Sequence, residues 1–259
     1  MNPKLNWRLG CQAYSFRNFT LYETIEKNAS LGLKWLEAYP TQALSPEKQN
    51  VKVDHNSPRE VLDVVKAKLD SAGTRLVNYG VVILPNDEEQ CRKIFDFAKA
   101  MGLETIVSEP PDDALDLVDT LCQEYQVNMA IHNHPAPSIY WNPDTVVKAC
   151  QGRSRYFGAC PDTGHWSRSG IDPVEALRKL EGRIIGVHLK DIERHDPEAS
   201  DVPWGTGVCD VRAMLVELYR QRIEPVFSIE YVSDAVDPFN DIALCVEWFG
   251  KVCAEFVEE

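Results

Sequence analysis

No stretch of this chain approaches the ~20 consecutive apolar residues that a membrane span requires. That excludes a helical membrane protein. Positive charge is also scarce: 27 Lys and Arg stand against 40 Asp and Glu, a net charge of -13. Such a surface repels phosphate backbones and disfavours general nucleic-acid binding. The eight cysteines, at positions 11, 91, 122, 150, 160, 209, 245 and 253, include no Cys-x-x-Cys pair. Most fall inside expected helices or strands, where small buried thiols are common, and a chain of this size needs no disulfide framework. The start, Met1-Asn2-Pro3-Lys4-Leu5-Asn6-Trp7, lacks an apolar signal core, so the chain reads as cytoplasmic, although a removed leader would leave no trace. Glycine is missing after the first apolar strand, where Ser15-Phe16-Arg17-Asn18-Phe19 stands. An open nucleotide-binding sheet would carry its Gly-rich phosphate loop there.

What is present is a rhythm. Across 259 residues, 44% of them apolar, a short apolar strand is followed eight times by a helical pattern. The expected strands are Leu9–Tyr14, Trp35–Tyr39, Arg75–Val82, Thr105–Ser108, Asn128–His132, Tyr156–Pro161, Ile184–Leu189 and Pro225–Glu230. The expected helices are Leu21–Leu31, Pro58–Ala72, Glu88–Met101, Asp112–Glu124, Pro143–Cys150, Pro173–Leu180, Val211–Gln221 and Ile242–Val257. Pro58, Pro143 and Pro173 stand at helix starts, where a missing N–H costs nothing. Gly32, Gly73 and Gly102 follow helix ends, as left-handed caps prefer. Strict alternation means a parallel sheet with right-handed crossovers. Eight units in one chain of this length predict a single (β/α)8 barrel with a parallel eight-stranded sheet, one domain over residues 1–259. Two long loops, Pro40–Ser57 and Asp191–Asp210, fall on the face where such barrels keep their chemistry, and are candidate lids or walls.

The carboxyl ends of the expected strands are rich in ionisable groups. In order they offer Gln12 and Tyr14, Glu37, Asn78 and Tyr79, Glu109, His132-Asn133-His134, Asp162 with His165, His188 with Lys190, and Glu230. Four of the six histidines lie here; His55 and His195 lie in the two long loops. A barrel built only for stability has no need of such a set, and convergent titratable groups in one cleft mark a site. Carboxylate, imidazole and carboxylate at the last three strand ends form a mixed N/O donor set suited to a divalent first-row metal.

The order Asp162-x-x-His165, Val187-His188-x-Lys190-Asp191 and Ile229-Glu230 resembles the xylose isomerase-like TIM barrels, most of all the sugar phosphate isomerase/epimerase branch. Gly10-x-Gln12-x-Tyr14-Ser15-Phe16-Arg17, Trp35-Leu36-Glu37 and Gly205-x-Gly207-x-x-Asp210 add to the likeness. The resemblance implies one divalent metal ion (Mn, Mg, Co or Zn) held by residues from strands five to eight. Asp162, His188 and Glu230 match the last three ligands. Where the family usually places Glu on strand five, this chain has His132 and His134, so His132, His134 or Glu109 completes the set. An imidazole there lowers the ligand charge by one unit and strengthens the metal as a Lewis acid.

The chemistry so implied is proton transfer next to a ketone through an enediolate, in a metal-dependent sugar isomerase or epimerase. Glu230 is the expected base, Lys190 the group that stabilises the oxyanion or acts as acid, and His165 or His134 the second proton carrier. Gln12, Tyr14, Glu37, His134, Arg168 and Trp204 are expected to bind substrate, Arg168 through an anionic group and Trp204 by stacking. With the same metal site a dehydratase acting on a keto-sugar or inosose is the alternative, and a non-catalytic sugar-binding barrel another. An endonuclease IV-like reading fails on charge and on the absence of an Asp-x-His after strand seven. The expected partner is a small-molecule sugar, with neither nucleic acid nor membrane, and homo-oligomerisation is left open. The acidic run Asp234-Ala235-Val236-Asp237 would repel phosphate, which favours a neutral or oxidised sugar.

Overall fold

The computed structural model describes residues 5–258, so Met1–Lys4 of the amino-terminal stretch read above lie outside it. Eight parallel strands form one sheet: β1 Arg8–Gln12, β2 Trp35–Ala38, β3 Arg75–Val82, β4 Thr105–Ser108, β5 Asn128–His132, β6 Phe157–Cys160, β7 Gly186–Leu189 and β8 Val226–Ile229. Their order around the sheet is β6-β5-β4-β3-β2-β1-β8-β7. Two parallel bridges, Ala159 to Ile184 and Asp162 to His188, bring the outer strands together. The His188 N–H donates to the Pro161 carbonyl at 2.8 Å across that seam. The chain is therefore a single (β/α)8 barrel, as its alternation predicts. Among the described residues no helix is long and apolar enough to cross a membrane.

Local chemistry explains the elements. All four residues of β6, β7 and β8 are buried, the near-continuous pattern of strands covered on both faces. Helix α1, Leu21–Ser30, opens on a capping box in which Thr20 and Glu23 bond each other's backbone N–H, satisfying two otherwise orphaned donors. Helices α2, Arg59–Ala72, and α3, Glu88–Met101, stop at Gly73 and Gly102, with φ of +64° and +70°. Then come α4 Leu115–Tyr125, α5 Pro143–Cys150, α6 Thr163–Arg168, α7 Pro173–Lys179, α8 Val211–Arg220 and α9 Phe239–Glu258.

The elements depart from the sequence expectation at several of their ends, by one to three residues, and in one added helix. Strand one ends two residues early, because the Gln12 side chain accepts the Tyr14 N–H at 2.6 Å and starts a tight turn over Ala13–Phe16. Pro58 caps α2 from outside with extended backbone instead of opening its first turn. Strand seven begins at Gly186, not Ile184. The short helix α6 went unexpected; its cap is Asp162, whose carboxylate accepts the His165 N–H at 2.8 Å. The Asp-x-x-His spacing is thus also a helix N-cap and its third residue.

Both long loops carry small hairpins, Gln42–Ala43 with Lys52–Val53 and Asp191–Ile192 with Asp201–Val202. The second is organised by one buried carboxylate. Asp191 accepts backbone N–H groups from Gly205 and Gly207 at 2.9 Å, and from Cys209 and Ile192 at 3.0 Å. A Cβ on Gly207 would stand 2.4 Å from that carboxylate, so the close approach requires glycine. An unpaired buried N–H costs about 1–3 kcal/mol, and Asp191→Ala leaves several. Thermal unfolding should show a loss of roughly 2–4 kcal/mol, with new proteolytic nicking between 193 and 200. An unchanged melt would remove Asp191 as the organiser of this loop.

Candidate metal centre

Four strand ends meet at one point. His132 closes β5, Asp162 follows β6 by two residues, His188 lies in β7 and Glu230 follows β8. One ligand atom from each lies within 4.8 Å of all the others. The closure seam is what brings Asp162 beside His188. His188 presents Nδ1 to Glu230 Oε2 at 2.8 Å, while Glu37 Oε1 holds its Nε2 at 2.8 Å. Glu37 is anchored in turn by Ser228 Oγ at 2.6 Å and Asn78 Nδ2 at 3.3 Å. A ligand imidazole with its far nitrogen on a carboxylate is fixed in ring orientation.

His132 faces two ways. Its Nε2 lies 3.6 Å from Asp162 Oδ2 and 3.9 Å from Glu230 Oε2, and its Nδ1 lies 3.7 Å from Glu109 Oε1. Both ring nitrogens are buried without a hydrogen-bond partner, and Asp162 Oδ2, equally buried, faces them with the Lys190 ammonium 2.9 Å away. Buried polar atoms are ordinarily satisfied, so unpartnered imidazole nitrogens within a donor group of two imidazoles and two carboxylates fit a divalent cation. Glu109 Oε1 also accepts the backbone N–H of His134 at 2.8 Å and meets its Nδ1 at 2.8 Å. Burial would raise the Glu109 pKa, but the two imidazoles outweigh it and hold the carboxyl at about 2.

Lys190 enters beneath α6. A Cβ on Gly164 would lie 2.6 Å from Lys190 Cβ, so glycine makes room for the lysine. The ammonium stands 2.9 Å from Asp162 Oδ2, 3.3 Å from Glu230 Oε1 and 3.5 Å from His165 Nε2. Burial opposes charge on both carboxylates, yet their cationic neighbours prevail. Lys190 and His188 hold Glu230 well below the usual range, and Lys190 and His132 do the same for Asp162. Lys190 is driven up by those carboxylates against its own burial. Burial pushes His165 well down, so that imidazole is neutral. A cavity of about 750 Å³ opens above, lined among others by Gln12, Tyr14, His134, His165, Lys190 and Glu230.

The residues expected to bind substrate divide. Tyr14 and His134 face the cavity half-exposed. Gln12 reaches it, but its amide is engaged by Gly80 O at 2.7 Å and by the Tyr14 N–H. Arg168 lines it, yet its guanidinium is held by Asp201 at 2.6 Å and by the Ala199 carbonyl at 2.7 Å, so it secures the loop wall. Glu37 is corrected outright: buried below the cluster, it grips His188 and does not line the cavity. Trp204 is corrected too. It is 2% exposed and packs on Trp248 and Phe249, away from the cavity. His195 is exposed in its loop and is not among the four clustered side chains. Sequence reasoning did not assign Tyr39, Val81 or Glu198 to the cavity wall. Tyr39 was the most legible, sitting at the end of an expected strand.

The family model for the xylose isomerase-like TIM barrel matches residues 25–251. An uncharacterised protein from Parabacteroides distasonis ATCC 8503 has a similar structure, with a TM-score of 0.76 and 33% identity, covering 95% of this chain and 99% of that one. A D-tagatose 3-epimerase-like protein superposes with a TM-score of 0.72 at 18% identity, over 97% and 98% of the two chains. The IolI protein, solved with a zinc atom, gives 0.72 at 15%, over 96% and 99%; at such identities the likeness is one of fold. Inosose dehydratase of Geobacillus kaustophilus (strain HTA426) is 34% identical over 92 residues, 32% of this chain and only 27% of that protein. The seam that sets Asp162 beside His188 and the match over most of the chain agree, and the chain belongs to the xylose isomerase-like TIM barrel family.

Proposed function

We propose that this barrel moves a proton at the carbon next to the carbonyl of a polyhydroxy ketone, as a metal-dependent sugar isomerase or epimerase. The observation that carries the reading is the juxtaposition of Glu230 and Lys190 at the floor of the cavity, against the four-residue donor group. His132, Asp162, His188 and Glu230 would hold the divalent cation, whose contribution when bound is to polarise the substrate carbonyl. The rest falls to the side chains. Glu230, kept ionised by its neighbours, is in the form that accepts a proton. Lys190, kept charged, offers an ammonium to the oxygen on which charge develops. Neutral His165, next to Lys190, can receive or return a proton. Groups whose surroundings push their protonation states apart are how one site runs both acid and base steps.

A second reading has an observation of its own. The stretch of 34% identity to an inosose dehydratase supports loss of water from the same carbanion, when the neighbouring carbon carries a hydroxyl. Both begin with the same deprotonation. Only the product distinguishes them.

Incubation with ketoses in D2O is the decisive test. Deuterium should enter the carbon beside the carbonyl, with an epimer or isomer as product; turnover without exchange or a primary isotope effect there would overturn the reading. General-base assistance is worth about 10²–10⁴-fold, so Glu230→Gln should lose at least that in kcat. Lys190→Met should retain the cation yet slow turnover, because the ammonium acts on charge and not on coordination. Equal loss of metal and activity in that variant would reassign Lys190 as part of the cation site. Removing a carboxylate behind a ligand histidine typically costs about 10–100-fold in metal affinity. Glu109→Gln should show that loss by calorimetric titration of the metal-free protein with Zn²⁺, and unchanged affinity would detach Glu109 from His132.

A further inference from the structure

Beside the site cavity runs a second groove of about 870 Å³, bordered by Asn18, Thr41, Gln49, Asn50 and Lys52. Tyr14, Arg17 and Tyr39 belong to the walls of both spaces, so the groove adjoins the cavity that holds Glu230 and Lys190 across these three side chains. We propose that this groove is a subsite for a second sugar unit, and that the substrate is a glycoside whose keto-bearing ring occupies the site cavity. The inference rests on the reading that the cavity takes a polyhydroxy ketone, and it names the class of that ketone.

Size argues first. Each space lies within the ~300–1,000 Å³ that holds a drug-sized ligand, more than one sugar ring fills. The connecting wall argues next. Tyr14 is 41% exposed, the only exposed Phe, Tyr or Trp among the described residues. It meets Tyr39 edge-on at 5.3 Å, and the Arg17 guanidinium lies 5.6 Å from its ring centre. This platform is held in advance of any ligand: the Tyr14 N–H is fixed by Gln12, and Arg17 Nη2 donates to the Ser233 carbonyl at 3.1 Å. A ring with one apolar face and a polar edge suits a sugar, which offers C–H groups on its face and hydroxyls at its rim, and a rigid platform loses little entropy on binding.

The remaining wall chemistry is mostly neutral. The Glu23 carboxylate is occupied by the Thr20 hydroxyl and N–H, and Arg17 is engaged as described. Gln49 and Asn50 are exposed, and their amides can donate to and accept from hydroxyls. The hairpin loop from Pro40 to Ser57, long for a strand-to-helix connection, thereby has a ligand to hold.

Saturation-transfer NMR on the metal-loaded, full-length protein tests this with maltose, cellobiose, lactose and trehalose against glucose and galactose. At least one disaccharide should receive saturation on both rings and bind ten-fold or more tighter than its component monosaccharides. Tyr14→Ala and Asn50→Ala, each checked by its melting curve, should bring that ratio down towards one. Saturation confined to one ring of every disaccharide, or no gain over monosaccharides, overturns the subsite. If monosaccharide ketoses still exchange deuterium in that event, the proton-transfer reading stands while the glycoside inference falls. If nothing binds and nothing exchanges, both fall.

Discussion

Everything at the carboxyl end of the barrel strands depends on balancing charge that the barrel has taken out of water. Asp162, Glu230 and Glu37 converge around His188 and Lys190 where β6 and β7 close the sheet. An unpaired charge at such depth costs several kcal/mol, so each carboxylate must keep a cationic or hydrogen-bonding partner. That demand fixes the path of Lys190 under Gly164 and the cap of α6 on Asp162. It also fixes the grip of Glu37 on the far side of His188. The orphaned ring nitrogens of His132 are the part of the balance that protein groups leave open.

The donor set gives this site a particular character. Two imidazoles and two carboxylates bring less negative charge than one imidazole with three carboxylates. Borderline cations with an affinity for nitrogen gain from this relative to hard ones. Glu109, placed behind His132 and bonded to His134, returns a carboxylate to the neighbourhood without placing it among the four. The same carboxylate thus touches a residue of the donor group and a residue of the cavity wall, which couples the two mechanically.

Much of this was legible in the sequence, for a definite reason. Eight alternations of apolar run and helical pattern leave few topologies, and a parallel barrel puts strand ends on one face. Asp162, His188 and Glu230 could be read because each directly ends a short apolar run. Depth was not readable. Alternation tells which side of a strand a residue faces but not how far along the barrel axis it sits. His132 lies buried in the cluster while His134, two residues on, stands at the cavity wall. Glu37 was read as a mouth residue, yet it sits beside an irregularity in the pairing of β2 with β3 and points beneath His188. Trp204 was misplaced because a loop tryptophan offers no period at all; the Asp191 hub turns that loop back onto α9.

The central claim is that these four side chains are a cation site, and metal analysis of the purified protein addresses it most directly. The account predicts one equivalent of a divalent first-row metal per chain, falling below a tenth of an equivalent in a folded Asp162→Ala variant. A wild-type protein that binds no divalent metal even when supplied with it would contradict the account. So would a variant that keeps a full equivalent.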